Sequence, residues 1–456
     1  MKKILIVVAA ALALVGVGSV SAQSRSSYFM EGSYFRNDMN PALAPTRGYI
    51  ALPALSGIGI DVSSNFLSID KYIFQRDDQL VTALNSLVAA DEFLGKLPSK
   101  CKFMMDMNTK ILGAGFYVKD MYWTFGINTN ISASMSMSRD LFRAIKTLGN
   151  GIYDLGDTSL NLNSYVDVNV GTAFSVYENI TVGAKVKFLV GIMNMQAKFN
   201  DLSANVTPDV ITATMNGALR ANGFIFDNSS IRAGEAFNFG DIINANFGYM
   251  MGNFKNFGIA FDLGAEATFL GDHLKVSAAV TDLGFIKWAR GSHIGATLNS
   301  DFQFRGFNFA TSEIDAEGGL DMEMVDASTA KGYASMVNVG INVGAEYNIL
   351  QNRIAFGLLS HSKFYNTMAY SEFVASVNFR PLDWISATIS QTFMNRQRIG
   401  VLGFALNIHP CAVNFFAGLD FIDTAWISGP GSLPLPRYMK SVNVYFGLGF
   451  NLARPK

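Results

Sequence analysis

The chain has 456 residues, half of them hydrophobic, with a mean hydropathy of +0.23 and a formal net charge of −1. The near-zero charge gives no steering toward nucleic acid or other charged partners. After Ala22 no 18-residue window is free of charges and amides (the best run, Val182 to Met195, is cut by Lys185, Lys187 and Asn194), which excludes helical spans and leaves an oversized soluble core or a closed barrel.

Lys2 and Lys3 precede an apolar run from Ile4 to Val17, and Val20 to Ala22 supplies the small residues of a cleavage site. The run is short of the roughly 20 residues that cross a bilayer, so residues 1–22 read as a removable secretory leader. The mature chain then begins near Gln23 and works outside the cytoplasm.

Residues 23–48 contain Asn37, Asp38, Asn40, Pro41, Pro45 and Gly48 and show no sustained period. Proline removes a ladder hydrogen bond, so this stretch is not a lipid-facing strand. About 26 residues of half-extended chain cover roughly 40 Å, enough to enter a barrel from its periplasmic end. The expectation is an inward-folded hatch, with Tyr28, Phe29, Tyr34 and Phe35 on the lumen wall and a bend at Asn40 and Pro41.

From Tyr49 to the end, residues 49–456 alternate. Ile58, Ile60 and Val62 oppose Gly59, Asp61 and Ser63; Val166, Val168, Val170 and Phe174 oppose Tyr165, Asp167, Asn169 and Gly171; Val182, Ala184, Val186 and Phe188 oppose Gly183, Lys185 and Lys187. Between Phe257 and Phe269 the apolar residues alternate with Asp262, Gly264 and Glu266 over about 12 residues, near the 9 to 11 of a transmembrane strand. After a reversal at Leu270 to His273 the pattern resumes, with Asp282 out of phase, which a bulge near Thr281 would explain. Val337 to Ala345 and Val442 to Leu452 repeat the pattern. The polar face is Gly, Asn, Ser and single charges, as in a wet lumen. Trp123, Trp288, Tyr347 and Trp384 suit interfacial girdles.

Short reversals fall at 118–120, 177–179, 270–272, 350–352, 380–383 and 409–411, with longer connections between them. Short periplasmic turns alternating with long outer loops predict an all-β transmembrane antiparallel barrel of about 14 strands. The extended pieces 204–219 and 292–308 are assigned to outer loop hairpins. Helical stripes are expected at Leu80, Val81, Leu84, Leu87, Val88 and Leu94, and after Ser138, which caps a helix ending at Gly149. These helices make a hydrophobic capture groove or merely plug the mouth.

The motif Met39 to Pro45, the hairpin from Phe257 to Trp288 and the strand number resemble Bacteroidota outer-membrane barrels of a conserved family of unknown function. More distantly they are similar to the long-chain fatty-acid transporters. That resemblance implies 14 strands and a hatch bearing an Asn-Pro-Ala motif, matched here by Asn40, Pro41 and Ala42 as gating residues.

Asp61, Asp106, Asp167, Lys185, Lys187, Asp262, Glu266 and Glu346 are the candidate lumen-facing charges. They line a translocation path or pair across strands to stiffen the lumen, as Asp167 with Lys185. The four histidines, His273, His293, His361 and His409, form no cluster with Asp or Ser by this topology, and no metal spacing or phosphate loop occurs; no catalytic residue, metal or cofactor is expected. Cys101 and Cys411 fall at opposite ends of the barrel and are expected to stay unpaired, with Cys101 the one to label from outside if its loop leaves it accessible. The sequence leaves two functions: passive transport of small hydrophobic molecules through a hatch-gated lumen, or an accessory barrel of a surface-protein machinery. The expected partners are outer-membrane lipid and lipopolysaccharide, a small hydrophobic ligand and an envelope protein, with no nucleic acid.

Overall fold

The computed structural model describes residues 25–51, 57–76, 79–147, 151–207, 211–223, 255–289, 293–308, 313–317, 321–325, 332–366, 368–394, 401–422, 426–427, 435–436 and 441–452. The leader, residues 1–22, lies outside them. Fourteen strands form the wall: β1 (Tyr49–Ala51 and Ile58–Ser64), β2 (Lys100–Val118), β3 (Met121–Ser138), β4 (Ser159–Tyr177), β5 (Ile180–Val206), β6 (Phe257–Phe269), β7 (Leu274–Trp288), β8 (Val339–Ile349), β9 (Ile354–Phe364), β10 (Ala369–Leu382), β11 (Ile385–Met394), β12 (Val401–Ile408), β13 (Val413–Ile422) and β14 (Ser441–Asn451). Each pairs antiparallel with its sequence neighbours, and β14 closes on β1 through Tyr49 opposite Asn451 and Asp61 opposite Asn443. Among the described residues, closure leaves the fourteen-stranded wall without an open edge.

The short reversals lie where the sequence puts them. Lys119, Leu270, Gly271, Asp272, Leu350, Gln351, Asn352 and Cys411 adopt the left-handed conformation that tight turns need. Along β6 the alternation is direct: Phe257, Phe261 and Leu263 are exposed, while Asp262 is wholly buried. Apolar side chains outward and polar ones inward is the reverse of a water-soluble core and the arrangement of a barrel in lipid.

The expected bulge is present between β6 and β7. Phe261 opposes Leu283 and Leu263 opposes Val280, so Thr281 and Asp282 together face Asp262, and Asp282 is left-handed. The extra residue inverts the phase of β7: Leu283 and Phe285 point outward, Ile286 and Trp288 inward. Trp288 is therefore no girdle residue, since it is buried with its indole N–H donated to Ser335 at 2.8 Å. Tyr347 and Trp384 are exposed.

Outside the barrel, β5 continues to Val206, where Ile211–Gly223 pairs with it and with His293–Asn308. The pieces expected as loop hairpins thus form one sheet continuous with β5. The first helical stripe is corrected: Ile73–Arg76 and Gln79–Thr82 pair as strands, and the helix is Ala90–Gly95. Val81 and Thr82 are β-branched, and a cross-strand partner in Ile73–Arg76 decides for the strand. Leu84 and Leu87 are exposed, while Val81, Val88 and Phe93 pack with Phe66, Phe74 and Cys101 in a small outer core. The second helix spans Asp140–Thr147, with the Ser138 hydroxyl accepting the Asp140 N–H at 3.2 Å. Gly149, expected to end it, lies outside the described residues. Cys101 and Cys411 are both unpaired, but Cys101 is fully buried in this outer core, so the accessibility its labelling required is not met.

Candidate functional site

Residues 25–48 run inside the barrel, touching strands from nearly all sides of the wall. The segment starts high in the lumen, where the Arg25 guanidinium meets Asp61 of β1 at 2.6 Å and Glu372 of β10. The Ser26 hydroxyl lies 2.7 Å from Ser390 and donates to Asp420. The chain then descends toward the short-turn end. There Arg380 donates to the Phe29 carbonyl at 2.7 Å, and the Glu31 carboxylate meets Lys275 and accepts the Asn352 amide at 3.0 Å.

It climbs again through a single helical turn, Arg36–Met39, and there Asp38 bridges Lys110 at 2.6 Å and Lys185 at 3.1 Å. Lys185 also donates to the Asn37 carbonyl at 2.7 Å, and Asn342 donates to the Met39 carbonyl at 2.7 Å. Just past this turn Asn40 caps the next, its Oδ1 accepting the Ala42 N–H at 2.9 Å. Its amide donates to the Tyr28 hydroxyl and the Ala265 carbonyl, each at 3.3 Å. Pro41 lies against Gly183 and Asn40 against Gly264; a Cβ at either glycine would overlap the segment. Ala42 is buried beside them. The return leg ends with the Tyr117 hydroxyl on the Pro45 carbonyl at 2.6 Å, and β1 begins.

Aromatic contacts complete the seat. Tyr34 stacks on Tyr49 with ring centroids 4.2 Å apart, and Phe35 lies 5.1 Å from Phe416, itself stacked on Tyr445. Met30 and Tyr122 join this cluster; Tyr28 and Phe29 pack with Leu359 and Val374 on another side of the wall. Such ring pairs add directional energy to burial.

The candidate charges divide among several pairs. Asp61 is the Arg25 partner, Glu266 lies 3.7 Å from Arg36, and Glu346 meets Arg380 at 2.6 Å. Lys187 bridges Asp262 at 2.8 Å and Asp282 at 2.7 Å. Asp106 meets Lys363 at 3.1 Å and accepts from the Tyr365 hydroxyl. The expected Asp167–Lys185 pair does not form. Register puts Asp167 opposite Leu189 and Lys185 opposite Gly171, and the Lys185 ammonium turns to Asp38 instead. Asp167 accepts amide N–H groups from Asn128, Asn130 and Asn169.

Sequence reading missed Arg25, Lys110, Glu372, Arg380 and Asp420. The strand residues among them were accessible from phase, since Glu372 and Arg380 alternate with outward Phe373 and Phe379. Arg25 had no such signal, because its segment has no period.

Electrostatics favour the seated segment. Burial opposes ionisation of Glu31, but Lys275, helped by Arg380 and Arg36, outweighs it and holds the carboxyl down at about 2. Asp38 is likewise resisted by burial yet held well below the usual carboxylate range by Lys110 and Lys185. Among the described residues no group of three His, Cys, Asp or Glu side chains is arranged to hold a metal.

Solved structures similar to the chain include the toluene transporter TbuX of Ralstonia pickettii (9% identity, covering 96% of this chain and 99% of that one, TM-score 0.43). A FadL homologue of Pseudomonas aeruginosa (8%, 95% and 99%, TM-score 0.40) and the toluene transporter TodX of Pseudomonas putida (8%, 95% and 95%, TM-score 0.37) are similar too. These are remote likenesses. No curated protein matches the sequence. A model of a family of unknown function (DUF5723) matches residues 41–420, most of the chain, and the protein belongs to that family.

Proposed function

We propose that the protein is an integral outer-membrane barrel in which residues 23–48, exposed by removal of the leader 1–22, form a hatch over a passive route through the barrel, residues 49–456. Small hydrophobic molecules are the proposed cargo. The observation that carries this reading is the composition of the seat: the segment fills inward-facing apolar sockets made by Tyr49, Tyr122, Phe416 and Tyr445, and by Leu359 and Val374, with its own Tyr34, Phe35, Tyr28 and Phe29. A hydrophobic solute competes for those sockets on the same terms as the side chains that occupy them. The exposed apolar outer face supports a position in lipid, with lipid and lipopolysaccharide as its surroundings. Asn40, Pro41 and Ala42 act as the hinge tip of the hatch, and the ion pairs to Asp61, Glu266 and Lys185 as its latches.

One observation favours the accessory reading, in which an envelope protein is the partner: the sheet built on the outer half of β5 projects beyond the wall. Deleting residues 23–39 behind an intact leader separates the two. A gate gives a folded, heat-modifiable barrel with raised single-channel conductance in planar bilayers and greater sensitivity to bulky hydrophobic antibiotics. A variant that inserts normally and conducts like wild type refutes the gate and favours the accessory barrel.

A further inference from the structure

Toward the long-loop end, above Asp38 and Met39, the lumen holds a polar cavity of about 70 Å³. Four carboxylates line it, Asp38, Asp106, Asp167 and Asp282, against three ammonium groups, Lys185, Lys187 and Lys363. Every ammonium is committed: Lys185 to Asp38, Lys187 to Asp282 and Asp262, Lys363 to Asp106. Just outside the lining, the charges of Lys110 and Asp262 offset one another. One negative charge is left over in all, and Asp167 is the lining carboxylate with no ammonium partner of its own.

Asp167 is 2% exposed, and among the described residues no cationic nitrogen lies within ion-pair distance of it. The Lys187 charge reaches it through space from farther away. Its Oδ1 accepts from Asn128 at 3.0 Å and Asn169 at 2.6 Å, and its Oδ2 from Asn130 at 2.7 Å. Three donors on two oxygens favour the ionised carboxylate, against which burial works. A buried carboxylate with no counter-charge is costly unless something supplies one.

A second observation is independent of charge. The side-chain oxygens of Asn128 and Asn338, both on buried residues lining the same cavity, have no donor among the described residues. Buried carbonyl oxygens are normally satisfied. Water would satisfy these carbonyls but leave the Asp167 charge; a cation answers both, because hard cations take carboxylate and amide oxygens as ligands. A single carboxylate with neutral oxygens suits a monovalent ion, and the volume admits one with a few waters.

We infer that this cavity binds a monovalent inorganic cation of the size of Na⁺ or K⁺, with Asp167 as the charged ligand and the Asn128 and Asn338 oxygens as neutral ones. The site does not depend on movement of the N-terminal segment, whose Asp38 and Met39 form its floor. The test is thermal unfolding of the full mature chain in detergent, followed by circular dichroism. Chloride and ionic strength are held constant while Na⁺ or K⁺ is exchanged for N-methyl-D-glucamine, which is too large to enter. The expected result is a melting temperature that rises saturably with the small cation. In Asp167→Asn the dependence vanishes, and stability in N-methyl-D-glucamine is at least that of wild type. Asn338→Leu, which keeps the charge, shifts half-saturation to several-fold higher cation concentration. Wild-type stability indifferent to cation identity, or a full cation response retained in Asp167→Asn, overturns the assignment.

Discussion

Asp38→Asn tests the latch with the least change of shape. The carboxylate faces two buried ammonium groups, Lys110 at 2.6 Å and Lys185 at 3.1 Å, and an amide leaves both without their counter-charge. Removing one partner of a buried pair costs about 3–5 kcal/mol. The Asp38 side chain keeps 32% of its surface exposed, so screening brings the cost to about 2–3 kcal/mol. The barrel wall bears none of it, since unseating the segment releases both lysines to water. At 1.36 kcal/mol per decade the ratio of seated to unseated segment falls roughly 30- to 150-fold. Single-channel recording reads this as a higher open probability, and proteolysis of the N-terminal segment in intact barrels as a faster cleavage rate. Adding Lys110→Met to Asp38→Asn recovers part of the loss, because one orphaned charge is gone. A folded, heat-modifiable Asp38→Asn barrel with wild-type open probability and cleavage rate refutes the latch.

Gly183→Val places side-chain atoms where Pro41 sits, so it is expected to unseat the segment without disturbing β5 pairing; unchanged conductance with a normal barrel spectrum counts against the contact. Glu31, held near 2 from the ordinary 4.5, contributes at most about 3 kcal/mol to seating above pH 4.5, and that contribution drains away as pH falls from about 4.5 toward 2. Conductance should accordingly rise over that acid range in wild type and show a weaker acid response in Glu31→Gln. An impermeant thiol reagent should leave whole cells unlabelled and, after outer-membrane permeabilisation, modify Cys411 rather than the buried Cys101; mass spectrometry of the labelled peptide decides.

The sequence by itself determined the wall. A period of two is a local property: once Ile259, Phe261 and Leu263 alternate with Asp262 and Gly264, an extended chain must sort them onto opposite faces. Short turns interleaved with long connections then fix the strand number. Even the bulge at Thr281 and Asp282 was legible, as a break in phase. Its consequence was not, because a phase inversion moves residues downstream of it, and Trp288 went inward.

Tertiary structure decided everything that depends on register or on a segment without a period. Asp167 and Lys185 lie on adjacent strands, but a shift of a few residues separates them, and only the pairing of β4 with β5 sets that shift. The strand at Gln79–Thr82 was decided by its partner Ile73–Arg76, just upstream in the hairpin. Residues 25–48 carry no periodic signal at all, so their course follows from where the wall offers a carboxylate for Arg25, ammonium groups for Asp38, aromatic rings for Tyr34 and Phe35, and bare glycines for Asn40 and Pro41. Those features come from distant strands, and closing the barrel is what brings them round one segment.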